Sequence, residues 1–570
     1  MSQSPIIQFE HVNFQYESQT EPTLKDINFT IQKGEKVLIA GPSGSGKSTL
    51  GKILNGMIPE DYPGELSGNI TINGQSFNDL DVFKLSFEVG TVLQDPDSQF
   101  VGLTVAEDIA FALENDAKPQ SEIHQRVSDW AKRLDVAEII SNHPQDISGG
   151  QKQRVSLAGV LIGDEPILLL DEPLANLDPA AGEASIELLD HLSHKEDLTV
   201  IIIEHRIEEV LHRPIDRLLL IDDGKLIAND TPNQILKSGV LTEVGLREPL
   251  YLTALRACGI EVSELPEVDE LSKIELPDNG TAVLQWDVEH PIQPNSDGAE
   301  PLLEIRNLQF NYPNRSIFNN FNLTINKGEM VAIVGKNGTG KTTLSNLITG
   351  FLHPNQGEIK LAGTNLDDLS IKERAEHIGY ILQDPNQMIS KDMIFDEVAL
   401  GLRLRGLDEE IIKEKVLSTL KVTGLYPFRN WPIRALSFGQ KKRVTIASIL
   451  VLDPEVMILD EPTAGQDLAH YSEIMDFLEE LNRTQQLTTI FITHDMYLML
   501  EYADRAVALS DGEIIADTLP INVLTNDDVV KAASLTHTSL QSLGTLANLE
   551  NPARFAQGFV DYQKEVRHHE

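Results

Sequence analysis

The sequence predicts an α/β protein made of two tandem copies of one domain. Two observations carry this. The stretch FQYESQTEPTLKDINFTIQKGEKVLIAGPSGSGKST from Phe14 returns as FNYPNRSIFNNFNLTINKGEMVAIVGKNGTGKTT from Phe310, and a repeat on this scale sets the architecture before any local reading. Within each copy, short apolar runs such as VLIA and ILLLD alternate with helix-length segments, the pattern of strands and helices layered around one sheet.

The repeat continues downstream in register. QDPDSQ from Gln94 returns as QDPNQM from Gln383, ILLLDEP as VMILDEP, and IIIEHR as FITHDM. From Gln94 to Ser148, Asp171 and His205 the steps are 54, 23 and 34 residues, and from Gln383 to Ser437, Asp460 and His494 they are 54, 23 and 34 again. This assigns residues 5–255 to a first domain and 301–535 to a second. The segment 256–300 is rich in Pro, Asp and Glu and predicts a solvated acidic linker, with a short strand at TAVLQW. The tail, 536–570, carries little signal, and its His568 and His569 read as solvated terminal residues.

Each domain opens with β-branched runs (IIQFEHVNF, INFTI and NITING in the first), which add a β region to the α/β core. In SEIHQRVSDWAKRLDV, Ile123, Val127, Trp130 and Leu134 fall on one helical face, predicting a small helical subdomain between Gln94 and Ser148.

Composition narrows the partners. With 41% hydrophobic and 24% charged residues the 570-residue chain is globular, and its length calls for more than one core. A formal net charge of −42, with no dense Lys/Arg stripe, argues against binding nucleic acid through its phosphates. The N-terminus lacks a secretion signal, and no apolar run approaches the roughly 18 residues of a membrane span, so a cytoplasmic protein is expected. The single cysteine, Cys258, excludes an internal disulfide and reads as an inert thiol.

Two loops carry the chemistry. Gly41, Pro42, Ser43, Gly44, Ser45, Gly46, Lys47, Ser48 and Thr49 fit G-x-x-x-x-G-K-[ST], as do Gly335, Lys336, Asn337, Gly338, Thr339, Gly340, Lys341, Thr342 and Thr343. Each follows an apolar strand and precedes a helix, so backbone N–H groups and the helix N-terminus would wrap nucleotide phosphates. Lys47 and Lys341 would reach the β- and γ-phosphates, and Ser48 and Thr342 would ligate Mg²⁺. Asp171 and Asp460 end apolar strands, where they suit Mg²⁺ through water; Glu172 and Glu461 follow at once and can orient or deprotonate an attacking water. His205 and His494, also after apolar strands, suit a γ-phosphate contact, and Tyr16 and Tyr312 are placed to stack on adenine.

With these elements in this order, the chain resembles the ATP-binding cassette (ABC) ATPases over nearly all its length outside linker and tail. The resemblance implies two tandem P-loop NTPase domains, each with a RecA-like core, an antiparallel β subdomain and a small α-helical subdomain. It implies ATP and Mg²⁺ as cofactors, with Gln94 and Gln383 joining Ser48, Thr342, Asp171 and Asp460 at the metal. It also implies head-to-tail pairing of cassettes: Ser148, Gly149, Gly150 and Gln151 would serve the ATP at Lys341, and Ser437, Phe438, Gly439 and Gln440 the ATP at Lys47. Phe438 stands where the first copy has Gly149, and the first site is expected to be the slower. Asp178 and Asp467 match the family's D-loop aspartates, although Ala-Asn-Leu-Asp and Ala-Gly-Gln-Asp depart from its usual Ser-Ala-Leu-Asp.

QDPDSQFVGLTVAEDIAFAL and QDPNQMISKDMIFDEVALGL further resemble the region after the glutamine in energy-coupling-factor (ECF) transporter ATPases. That implies an importer of a vitamin or transition-metal ion, a transmembrane coupling subunit, a small substrate-binding membrane subunit, and a place on the cytoplasmic face of the membrane. A soluble tandem ABC protein acting on ribosomes, or the ATPase of another importer class, is the alternative. An acidic ATPase suits the Lys/Arg-rich cytoplasmic loops of membrane proteins. Glu107 and Asp108, with Asp396 and Glu397, are expected either to receive arginines of the coupling subunit or to serve as acidic first turns of helices.

Overall fold

The computed structural model describes residues 5–175, 177–196, 198–290, 300–313, 315–436, 438–462 and 468–569. The chain divides into two units, 1–283 and 284–570. In the first, Leu24–Ile31, Ile7–Tyr16 and Gly64–Ile72 pair antiparallel. Their inward residues, Phe9, Phe14, Ile27 and Ile70 among them, enter one core with Val37, Leu50 and Leu169 of the neighbouring layer. That layer is a sheet in the order 225–230, 217–222, 36–40, 199–203, 167–171, 89–92. It is parallel except for the antiparallel pair Lys225–Asp230 with Arg217–Asp222. Lys36–Ala40 and Thr199–Ile203 are buried at every residue, as expected of parallel strands covered on both faces.

The second unit repeats the plan. Its parallel sheet runs 513–518, 505–510, 330–335, 488–492, 456–460, 378–381, and its antiparallel sheet pairs Arg315–Asn326, Pro301–Tyr312 and Gln356–Leu361. In both units the strand carrying the glycine-rich loop lies next to the strand ending at the histidine, and the Asp-Glu strand comes after that. All their C-terminal ends lie at one edge, where open α/β sheets bind ligands.

The helical subdomain is present in each copy. In the first, Gln120–Arg133 buries Ile123, Val127 and Trp130, with Leu134 buried at its C-cap, the face expected from the spacing. In the second, Ile394–Leu404, Glu409–Val422 and Phe438–Leu450 share a core of Val398, Leu402, Ile412, Val416, Val444 and Ala447.

The linker and tail differ from expectation. TAVLQW is not a strand; it opens the helix Thr281–Glu289. Nor are the described residues of 256–290 merely solvated: Val262, Leu265, Val268 and Trp286 are buried, and Tyr251 Oη donates to Val268 O at 2.7 Å. In the second unit, the tail helix Pro552–His569 packs Phe555, Phe559 and Tyr562 around Trp286, at ring-centroid distances of 5.5, 5.8 and 5.6 Å. The side chains of His568 and His569 lie outside the described residues. Cys258 has its thiol pKa pushed up by burial to about 12, consistent with an inert role.

One buried charge distinguishes the copies. The short helix Val82–Leu85 ends in a buried leucine, whereas its counterpart Ile371–Arg374 ends in Arg374, only 2% exposed. Arg374 donates to Leu347 O and Ile348 O at 3.1 and 3.2 Å, satisfying C-terminal carbonyls of the helix Lys341–Thr349. Its remaining charge meets Asp367 Oδ1 at 3.1 Å. Replacing it with the first copy's residue, Arg374→Leu, strands those carbonyls and is expected to cost about 2–4 kcal/mol. Faster amide exchange across residues 341–349 than in the parent chain would register the loss.

Candidate functional site

The glycine-rich loops sit between a buried strand and a helix whose N-cap is left-handed. Gly46 (φ 108°) caps Lys47–Leu54, and Gly340 (φ 106°) caps Lys341–Thr349. A Cβ at either position would be strained, and it would also meet Leu24 Cδ2 at 2.8 Å or Ile317 Cγ2 at 2.6 Å, so glycine is required there. The lysines are buried against their own loops. Lys47 Nζ donates to Gly41 O (2.7 Å) and Pro42 O (2.8 Å), and Lys341 Nζ to Gly335 O (2.5 Å) and Lys336 O (3.1 Å). Tyr16 and Tyr312 reach the same loops across about thirty residues of chain: their hydroxyls lie 3.0 Å from Thr49 Oγ1 and 3.4 Å from Thr343 Oγ1. Each ring is held edge-on by a strand neighbour, Phe14 or Phe310.

Asp171 and Asp460 end their strands beside the loops. Thr342 Oγ1 donates to Asp460 Oδ2 at 3.3 Å, and Tyr380 Oη to the same oxygen at 3.2 Å. In the first unit Asp171 Oδ1 is buried without a hydrogen-bond partner. The next residue is the strained one: Glu172 has φ 47° and Glu461 φ 45°, a left-handed backbone that long side chains seldom adopt. Burial pushes the Glu172 carboxyl up to about 7, with Glu204 and Asp171 adding like charge. Burial also pushes Glu461 up to about 8, only partly opposed by Lys341. A carboxyl poised near neutrality suits proton abstraction from water.

The glutamates differ in what they hold. Gln94 Nε2 donates to Glu172 Oε2 at 2.6 Å. In the second unit Glu461 meets the histidine instead, accepting from His494 N at 3.3 Å, with His494 Nε2 3.4 Å from its Oε1.

A family profile described as ABC transporter matches residues 24–175 and 318–464. These spans contain both glycine-rich loops, both glutamines and both Asp-Glu pairs. The chain belongs to the ABC transporter ATP-binding proteins. A second profile, described as ATP-binding cassette cobalt transporter, matches residues 238–310. An ABC transporter ATP-binding protein of Lactiplantibacillus plantarum is 56% identical over 99% of this chain and 100% of its own. One from Enterococcus faecalis is 53% identical over 99% of each, and one from Vibrio vulnificus 48% identical over 98% of each. A solved structure described as cbiO1 from Clostridium perfringens, part of the ABC transporter complex cbiONQ, is 34% identical. It covers 44% of this chain and 100% of its own, with a TM-score of 0.39.

This ABC ATPase therefore has two P-loop domains that bind ATP, and the structure shows how its signature helices begin. Ser148 and Gln151 form a reciprocal capping box: Gln151 N donates to Ser148 Oγ at 3.4 Å and Ser148 N to Gln151 Oε1 at 3.0 Å. Gly149 is the first residue of the helix Gly149–Leu161 and is not left-handed, so nothing in its backbone demands glycine. Phe438 opens the matching helix Phe438–Leu450. Ser437 and Asp467, and the side chain of Phe438, lie outside the described residues. Gly150, Gly439 and Gln440 lie in the first turns of these helices, and Asp178 Oδ1 accepts from Ala181 N at 3.0 Å at the start of the helix Pro179–Glu196.

The four acids expected at a docking surface or at helix starts have partners within the fold. Asp108 Oδ1 accepts from Val101 N and Gly102 N, and Glu107 Oε2 from Leu103 N and Thr104 N. Glu397 Oε2 accepts from Ser390 N and Lys391 N, and Asp396 pairs with Arg403 at 2.9 Å. Glu107, Asp108 and Glu397 hold loops in shape, and all four acids lie in the first turns of their helices, one of the two roles expected of them.

Sequence reasoning also missed Lys442. It is 1% exposed on the signature helix, and its Nζ donates to Gln383 O (3.1 Å) and Glu461 O (2.9 Å). Burial lowers its pKa to about 8. The first unit has Gln153 at this place, donating to Pro173 O at 2.5 Å. The matched signal was a long polar side chain, Gln153 or Lys442, at the same position of a buried helix face in both copies. Lys442→Gln is expected to hold ATPase activity within about 3-fold, because an amide can still donate there. Lys442→Met, which leaves buried carbonyls unpaired, should lower it by about 10-fold. Steady-state phosphate release in a Glu172→Gln background measures both.

Proposed function

We propose that this chain is the ATP-hydrolysing subunit of an ECF-type importer for a vitamin or transition-metal ion, working on the cytoplasmic face of the membrane. The observation that carries the reading is the cobalt-transporter profile on residues 238–310, joined to two complete cassettes. No helix among the described residues is long and apolar enough to cross a membrane, which suits a subunit attached through a transmembrane coupling subunit and a small substrate-binding membrane subunit. The net charge of −42 supports protein partners over nucleic acid.

Within each cassette, the P-loop amides with Lys47 or Lys341 bind the phosphates, Tyr16 or Tyr312 takes the adenine, and Glu172 or Glu461 draws the proton from the attacking water. His205 and His494 address the γ-phosphate. The donor set is hard oxygen and fits Mg²⁺: Ser48, Gln94 and the unpartnered Asp171 oxygen in one site, Thr342, Gln383 and Asp460 in the other. Bound with ATP, Mg²⁺ supplies charge neutralisation on the β- and γ-phosphates. The two signature segments, Ser148 to Gln151 and Ser437 to Gln440, complete the ATP sites in the head-to-tail manner of the family. Contacts that ATP makes only in the closed state turn its binding and hydrolysis into a switch.

The membrane partner docks on the loop that Asp108 holds beside Gln94. Val101 and Leu103 stand 63% and 72% exposed there, while the matching loop of the second cassette reads Ser390-Lys391-Asp392. A Val101→Asp/Leu103→Asp chain should bind ATP normally yet no longer bring down integral membrane proteins; undiminished co-purification contradicts the docking surface. The two ATP sites are unequal, the one at Lys47 being slower. Phosphate release should therefore fall further with Glu461→Gln than with Glu172→Gln, by about 3-fold or more.

A further inference from the structure

The strand that ends at the histidine finishes differently in the two units. In the first it reads Ile203-Glu204-His205-Arg206, in the second Ile492-Thr493-His494-Asp495. Glu204 is fully buried, an unusual place for a carboxylate, and it meets both the histidine loop and the loop after Glu172. Its Oε1 accepts from His205 N at 2.9 Å and Arg206 N at 3.3 Å, and lies 3.1 Å from His205 Nδ1 and 4.0 Å from Arg206 Nε. Its Oε2 accepts from Leu174 N at 3.3 Å, two residues after Glu172. One side chain thus ties the histidine to the loop that carries the Asp-Glu pair.

The second unit holds its histidine by other means. Thr493 Oγ1 accepts from Asp495 N at 2.9 Å, and Asp495 caps the helix Met496–Tyr502 through Tyr497 N and Leu498 N. The histidine's carboxylate partner there is Glu461 itself. In the first unit that place is taken by Glu204, and Glu172 is bonded to Gln94.

We infer that Glu204 is a positioning residue for the first ATP site, one that takes over from Glu172 the task of holding the histidine. The inference rests on the assignment of His205 and Glu172 to ATP hydrolysis proposed above. A carboxylate 3.1 Å from Nδ1 favours a proton there and leaves Nε2 as the nitrogen with which His205 addresses a γ-phosphate. It also leaves the Glu172 carboxylate to Gln94 and the water, where the second site has one glutamate serve both histidine and water. Burial alone would disfavour the charged form of Glu204, but His205, Arg206 and two backbone amides outweigh it and its pKa is lowered. The arrangement is therefore a fixed negative charge beneath the histidine.

The test uses the full chain carrying Glu461→Gln, so that phosphate release reports the first site. Glu204→Thr installs the second unit's residue, and Glu204→Gln preserves volume if the smaller residue fails to fold; retained binding of a fluorescent ATP analogue certifies either variant. Each is expected to lower kcat by about 10-fold while KM for ATP moves less than about 2-fold. In a His205→Ala background the same substitution should cost no more than about 2-fold further, because its effect runs through the ring. The inference is overturned if kcat stays within about 2-fold while His205→Ala lowers it, or if the losses multiply in the double variant. If His205→Ala itself changes nothing, the site assignment falls, and this inference with it.

Discussion

The arrangement of each cassette depends on one constraint, the strand order of its parallel sheet. Because the histidine strand lies between the P-loop strand and the Asp-Glu strand, side chains far apart in sequence leave the sheet at one edge. Parallel strands need crossover connections, and the helices that supply them, together with the antiparallel sheet, cover the faces and leave the strand ends open. Lysine, aspartate, glutamate and histidine then converge without any loop having to reach far. The strain at Glu172 and Glu461, both near φ 46°, is borne where the chain must turn from a buried strand into that edge.

Duplication preserved this frame and let its fastenings diverge. Asp108 and Glu397 hold equivalent loops through equivalent pairs of amides, although one is an aspartate and the other a glutamate. Gln153 and Lys442 donate to carbonyls of the same segment, one neutral and one charged. Leu85 and Arg374 fill the same corner by apolar burial in one copy and by hydrogen-bonded charge in the other. The differences fall on groups that position the reacting residues, while both P-loops, glutamates and histidines are kept. Two sites of similar composition can thus differ in rate.

Much of this was legible in the sequence. The P-loops announce themselves through glycines at fixed offsets, and the helix 120–133 through Ile123, Val127 and Trp130. Phe438 was legible too, although its meaning was not: Gly149 proves to be an ordinary first helical residue, so Phe in its place is no lesion of the backbone. What could not be read depends on partners distant in sequence. Trp286 needs Phe559, about 270 residues on, before TAVLQW can be recognised as part of a buried helix. The acidity of 256–290 masked sparse core residues such as Val262 and Val268. Which amides Glu107 and Asp108 cap shows only in the folded loop.

Counting bound nucleotide tests most directly whether each chain carries two complete ATP sites. Equilibrium dialysis of labelled ATP against the full chain carrying Glu172→Gln and Glu461→Gln, which blocks turnover, should find about two nucleotides bound per chain. Adding Lys47→Ala or Lys341→Ala should each remove about one, and both together should abolish binding. A parent chain that saturates at one nucleotide, or a lysine substitution that removes none, would contradict two complete sites.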